Sequence, residues 1–138
     1  MRTLLFVAAL ASAAGCSKSS SSEPAAADKQ AAIETVTVDQ LDQSLAKSDC
    51  QAVDANGDQT RKKLGVIPGA VLLSDGDLKT AELPADKAKT LVFYCANTEC
   101  GASHHAAEQA ITAGYTHVKV LPAGIAGWVK AGKKTQQI

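Results

Sequence analysis

Cys95 closes a short apolar run, Leu91-Val92-Phe93-Tyr94, and is followed by Ala96, Asn97, Thr98, Glu99, Cys100 and Gly101 before Ala102 and Ser103. The pattern is that of a strand delivering a thiol into a small polar loop, with Ser103 opening a helix. Such a loop surrounds the thiol with backbone N–H groups at the positive end of a helix dipole. A cysteine so placed is expected to lose its proton more easily and to act as a nucleophile. Cys95 is therefore the candidate catalytic residue, and Ala96 to Gly101 its loop. From Thr90 to Val118 there is no Lys or Arg, so the loop carries no cationic side chain of that kind to receive an anion.

Cys100 puts a second thiol on the same loop, with three open roles. It can resolve a persulfide or sulfenate on Cys95, form a disulfide that locks the loop, or sit as a small buried side chain that never meets Cys95. Other candidates weigh less. Cys50 begins a separate strand and is expected to be a buried, lone thiol. Asp54, at that strand's end, reads as a local loop organiser rather than a catalytic acid. His104 and His105 are neighbours on a helix, about 100° apart around its axis, and match no zinc spacing. They read as solvated, His117 reads as structural, and no metal or cofactor is expected.

The elements that must position this loop alternate in type. Glu34 to Val38 is a strand, and Asp39 caps a helix carrying Leu41, Leu45 and Ala46. Gln51 to Asp54 is a strand, with a turn at Asn56-Gly57-Asp58. Ile67-Pro68-Gly69 leads into a strand over Ala70 to Leu73. Pro84 to Lys87 starts a brief helix before the strand Leu91 to Tyr94. Ser103 to Ala113 is a helix with Ala106, Ala107, Ala110 and Ile111 as its apolar face, stopped by Gly114. His117 to Leu121 is the last strand, and Gly124 to Lys130 the last helix. Short apolar strands alternating with helices indicate an α/β fold with a single small open parallel sheet and helices on both faces. In such sheets ligands bind beyond the carboxyl ends of the strands, where Cys95 falls.

Ahead of this domain, placed at residues 33–138, lie two segments of different character. Residues 1–15 combine Arg2, an apolar run from Leu4 to Ala11 and the small residues Ser12 to Gly15, the pattern of an export signal. The run is far short of the roughly 20 residues that span a bilayer. Residues 16–32, rich in Ser and Ala, form a flexible tether. The full chain balances 14 Lys and Arg against 14 Asp and Glu, and loss of residues 1–15 removes Arg2 alone, leaving one net negative charge. That balance gives no basis for binding nucleic acid. Export implies a compartment where disulfides persist.

Two resemblances follow from these residues. Ala13-Ala14-Gly15-Cys16 resembles a bacterial lipobox, which implies lipidation of Cys16 and a protein anchored in the cell envelope, with Ser17 pointing to the outer membrane, facing the periplasm. Gln51-Ala52-Val53-Asp54, Ile67-Pro68-Gly69-Ala70, Val92-Phe93-Tyr94-Cys95, Gly114-Tyr115-Thr116-His117-Val118 and Ala123-Gly124-Ile125-Ala126-Gly127-Trp128 resemble, in order and spacing, a rhodanese-like domain. That resemblance implies persulfide (sulfane-sulfur) transfer through Cys95, with a small sulfur donor or a protein thiol as partner.

The chain departs from the family's pattern in ways that matter chemically. Active members usually carry Arg or Lys in the loop, where this chain has Glu99. Asn56 replaces the family's Arg after the strand Asp, and Val66 its His before Ile-Pro-Gly. A cysteine phosphatase needs Arg at the loop's end to hold phosphate in the transition state, and that position is Gly101. Thiosulfate and phosphate are therefore disfavoured. Uncharged or thiol-bound sulfur donors remain, as does a non-catalytic module that uses the loop as a binding surface.

Overall fold

The computed structural model describes residues 32–74 and 78–138. The export signal, Cys16 and the tether up to residue 31 lie outside the described residues. Five strands form one parallel sheet in the order β1-β5-β4-β2-β3. They are β1 (Glu34–Thr35), β2 (Cys50–Asp54), β3 (Val71–Leu72), β4 (Thr90–Tyr94) and β5 (Val118–Leu121). Four helices accompany them: α1 (Val38–Ala46), α2 (Asp58–Leu64) and α3 (Ala102–Thr112) between strands, and α4 (Gly124–Lys130) after β5. The open parallel sheet covered on both faces is the architecture that the alternating pattern implies.

Side-chain alternation along the central strands divides the core. Val53, Leu91, Phe93, Val118 and Val120 face α3, where Ala106, Ala107 and Ala110 allow close approach, with Leu73, Leu83 and Tyr115 completing that layer. Ala52, Val92, Tyr94 and Leu121 face the other way, onto Leu41 of α1, Ile67, and Ile125 and Trp128 of α4. Each large apolar side chain so buried contributes about 1.5–3 kcal/mol. The registers Asp54 with Tyr94 and Tyr94 with Leu121 bring the carboxyl ends of three strands level. Cys95 leaves the sheet at that edge.

Several boundaries differ from the sequence-based expectations. β1 ends at Thr35, and the cap of α1 is Thr37, not Asp39: the Thr37 hydroxyl accepts from the Gln40 amide at 3.2 Å while the Gln40 side chain accepts from the Thr37 amide at 2.8 Å. This reciprocal box satisfies two otherwise orphaned donors, and it draws Val38 into the helix. The Asn56-Gly57-Asp58 turn continues directly into α2, a helix whose polar sequence, Asp58 to Leu64, hides its amphipathic signal. No helix forms over Pro84 to Lys87. A 3-10 turn lies earlier, over Thr80–Glu82, and Leu83 is extended with ψ 157°, as a residue ahead of proline prefers. Ile111, assigned to the apolar face of α3, is 46 % exposed; Ser103 takes a place on the buried face instead.

Candidate active site

Cys95 is 1 % exposed, directly beyond Tyr94. Its backbone is clamped by the start of α4. The Ile125 amide donates to the Cys95 carbonyl at 2.8 Å, and the Ala126 amide to that of Ala96 at 3.0 Å. These donors belong to the unsatisfied first turn of a helix, so α4 anchors the entry of the loop. The close approach depends on Gly124, whose φ of +60° lies in the left-handed region.

The Cys95 thiol points inward. Its Sγ donates to the Cys100 carbonyl at 3.0 Å and lies 3.4 Å from Ser103 Oγ. Ser103, 1 % exposed in the first turn of α3, turns its hydroxyl to the sulfur instead of capping the helix. Its side chain was legible as part of the loop motif but not as a partner of the thiol. Burial, followed by the hydrogen bond with the Cys100 side chain, pushes the Cys95 thiol above its ordinary value; the Ser103 contacts oppose this without reversing it.

Cys100 behaves oppositely. It is partly exposed, and although burial works against ionisation, the bond from the Cys95 thiol and the backbone amides of Ala96 and Ala102 outweigh it. The Cys100 thiol is therefore lowered. The direction differs from the expectation for Cys95: its thiol is raised, chiefly by burial, and donates to the Cys100 carbonyl, while the thiol that the loop amides lower is that of Cys100. The physical reason is loop length, since Ala96 to Gly101 leaves enough chain for Cys100 to fold back over Cys95. Both are free thiols, as is Cys50.

The remaining loop residues organise its rim. Asn97 Oδ1 accepts from the Glu99 amide at 3.0 Å, and the Asn97 carbonyl from the Cys100 amide at 3.2 Å. Asn97, Thr98, Glu99 and Gly101 are exposed, as are His104 and His105. Among the described residues no group of three or more His, Cys, Asp and Glu is placed to hold a metal ion. Cys50 lies buried at the amino end of β2, away from the loop, and burial raises its thiol. His117 is exposed, with Nδ1 3.2 Å from the Ala88 carbonyl.

Asp54 is an organiser, as its position suggests. Fully buried, it accepts from the Asn56 amide at 2.7 Å and from Arg61 Nε at 3.4 Å. Arg61, 5 % exposed, also donates through Nη2 to the carbonyls of Asp54 at 3.1 Å and Leu73 at 2.7 Å. It ties the carboxyl ends of β2 and β3 together beside the site. Sequence reasoning missed it, because Arg-Lys-Lys in a polar segment reads as solvated. Tyr94 reaches across to hold Ile67, whose amide donates to the Tyr94 hydroxyl at 3.0 Å. Burial, then the neighbouring Asp54 charge, pushes the Tyr94 phenol up, keeping it protonated.

Beside the loop, a recess of about 170 Å³ runs between the ends of β2 and β3 and the flank of α3, lined by Asn56, Ser74, Leu78, Ala102 and His105 among others. Asn56 is buried, and among the described residues its Nδ2 has no hydrogen-bond partner. A thiol pair at the carboxyl edge of an open parallel sheet, with a small recess beside the loop, defines a candidate thiol-chemistry site on an α/β scaffold.

The family model for the rhodanese-like domain matches residues 37–131, and the chain belongs to that family. Comparison with curated proteins returns no match. Among solved structures, a Bacillus halodurans protein superposes with a TM-score of 0.66 at 21 % identity, over 75 % of this chain and 77 % of that one. The Escherichia coli 3-mercaptopyruvate sulfotransferase SseA gives 0.59 at 20 % identity, over 77 % of this chain and 52 % of the other. A Pseudomonas aeruginosa thiosulfate sulfurtransferase gives 0.60 at 20 % identity, over 76 % of this chain and 20 % of the other. At these identities the likeness is one of fold. Among the described residues no helix is long and apolar enough to cross a membrane.

Proposed function

We propose that this protein carries sulfane sulfur or exchanges thiols through Cys95, tethered to the membrane of the cell envelope by a lipid on Cys16. The observation that carries the reading is the position of Cys95, at the carboxyl end of β4 in a rhodanese-like domain, where open parallel sheets bind their ligands. Solved structures with this fold include sulfurtransferases, which supports sulfur chemistry as the class. The absence of Lys and Arg from Thr90 to Val118 favours an uncharged or thiol-bound donor over thiosulfate, and a small thiol or protein thiol as acceptor.

The test is turnover from an organic polysulfide donor to an acceptor thiol, measured for the reduced chain and for Cys95→Ala. Turnover in the parent, reduced more than about a hundredfold in the variant, is the expected result. Undiminished turnover in Cys95→Ala overturns the role of Cys95. A chain that never takes up sulfur is instead a non-catalytic binding module, the reading favoured by the near-complete burial of Cys95. The anchor is tested separately: incorporation of a fatty-acid analogue in cells should vanish in Cys16→Ser, and labelling that persists excludes Cys16.

A further inference from the structure

We infer that the loop is a dithiol exchanger in which Cys100 makes the first bond to a substrate disulfide and Cys95 resolves it. The inference rests on reading the loop as a site of thiol chemistry and reverses the order in which the two cysteines act. Three observations carry it. Access differs: Cys95 is 1 % exposed, whereas Cys100 lies at the loop surface and is half-buried. Hydrogen bonding differs as well, because the Cys95 thiol is spent inward on the Cys100 carbonyl and Ser103. The Cys100 thiol is instead lowered, against the effect of burial, by the Cys95 thiol and the amides of Ala96 and Ala102. Lastly, Cys95 Sγ lies 3.0 Å from the Cys100 carbonyl oxygen, so the second thiol is already beside the residue whose sulfur it must attack.

The steps balance as a two-electron exchange. Cys100, as its thiolate, attacks one sulfur of the disulfide R–S–S–R′. A Cys100–S–S–R bond forms, and R′–S⁻ leaves and takes up the proton that Cys100 had released. Cys95 then gives up its proton, and its sulfur attacks Sγ of Cys100. The Cys95–Cys100 bond forms, and R–S⁻ departs with the Cys95 proton. The loop dithiol is oxidised to a disulfide, and the substrate disulfide is reduced to two thiols. A dithiol reductant resets the loop by the reverse exchange. Attack in the other order would need a buried thiol, engaged in two contacts, to meet a bulky disulfide first.

The experiment treats the reduced full chain, its Cys95→Ser and Cys100→Ser variants, and an organic polysulfide control, with bond positions read by peptide mass spectrometry. With bis(2-hydroxyethyl) disulfide as probe, Cys95→Ser should accumulate a mixed disulfide on Cys100, and the parent chain should lose two hydrogens as the loop closes. Cys100→Ser should form adduct on Cys95 at least about tenfold more slowly. Because either variant can disturb the loop, limiting iodoacetamide is applied to the unmutated chain, where Cys100 should be labelled at least about tenfold faster than Cys95. An adduct that forms on Cys95 in Cys100→Ser, with Cys95 also the faster alkylated residue, overturns the order while leaving sulfur chemistry at Cys95 standing. If neither cysteine takes sulfur from the polysulfide nor reacts with the disulfide, the underlying reading falls with it.

Discussion

Gly124 lies against the backbone of Cys95 so closely that a Cβ on it would come within 2.5 Å of the Cys95 carbonyl oxygen and 2.7 Å of Ala96. The atoms it would meet are backbone, which cannot rotate aside, and φ at Gly124 is +60°. Gly124→Ala therefore combines left-handed strain with a clash at the root of the loop, and should cost about 3 kcal/mol in urea unfolding. The same change should break the amide contacts from Ile125 and Ala126 and raise the labelling rate of Cys95 in the native protein. Unchanged stability and labelling would show that α4 does not hold the loop.

Arg61→Met should destabilise the domain by about 3–5 kcal/mol, because it strands the Asp54 carboxylate without its cation and takes a donor from the carbonyls of Asp54 and Leu73. Arg61→Lys should recover less than half of this, since one ammonium cannot reproduce the planar fork that reaches all three acceptors. The double variant Asp54→Asn with Arg61→Met should cost less than the sum of the two single changes. Additive effects would mean that the pair is not coupled.

The contrast between Arg61 and Cys95 shows what the sequence discloses about this site. Cys95 is legible because an apolar run sets a strand and the sheet's direction sets which end is reactive. The core strands are legible for the same reason: Val92 and Tyr94 against Leu91 and Phe93 alternate strictly between two layers. Arg61 is not, because its burial depends on tertiary acceptors, the carbonyls of Asp54 and Leu73, that no local pattern announces. The boundary of α1 depends on a side-chain reciprocity between Thr37 and Gln40 in which Asp39 plays no part. The ordering of the two thiols is hidden likewise: which sulfur the amides face is a property of how residues 96–101 fold back.

The two loop thiols should separate in their pH dependence. Alkylation follows the thiolate. Cys100, lowered by the Cys95 thiol and two backbone amides against the effect of burial, should reach half-maximal labelling below the ordinary thiol range. Cys95, raised by burial first, should do so above it. Cys95→Ala removes a donor to Cys100, so the Cys100 profile should move to higher pH. Peptide-resolved iodoacetamide labelling across neutral and alkaline pH reads all three, and coincident profiles for the two cysteines would contradict the arrangement.

Gly101 offers a direct test of the proposal that the loop disfavours anions. It is the cap residue of α3, at φ −83°, and nothing lies within 4 Å of where its Cβ would stand. A long side chain fits there without strain, so Gly101→Arg supplies the missing cation at the head of the helix with the loop intact. One added charge near a partly shielded thiol pair should raise the rate of sulfur uptake from thiosulfate by about tenfold, measured as sulfur gained by the loop peptide. The gain should shrink at high ionic strength, as screening requires, and Gly101→Gln should not produce it. An uncharged polysulfide should respond little to Gly101→Arg. A parent chain already as reactive toward thiosulfate as toward the polysulfide would show that the missing cation does not set the donor preference.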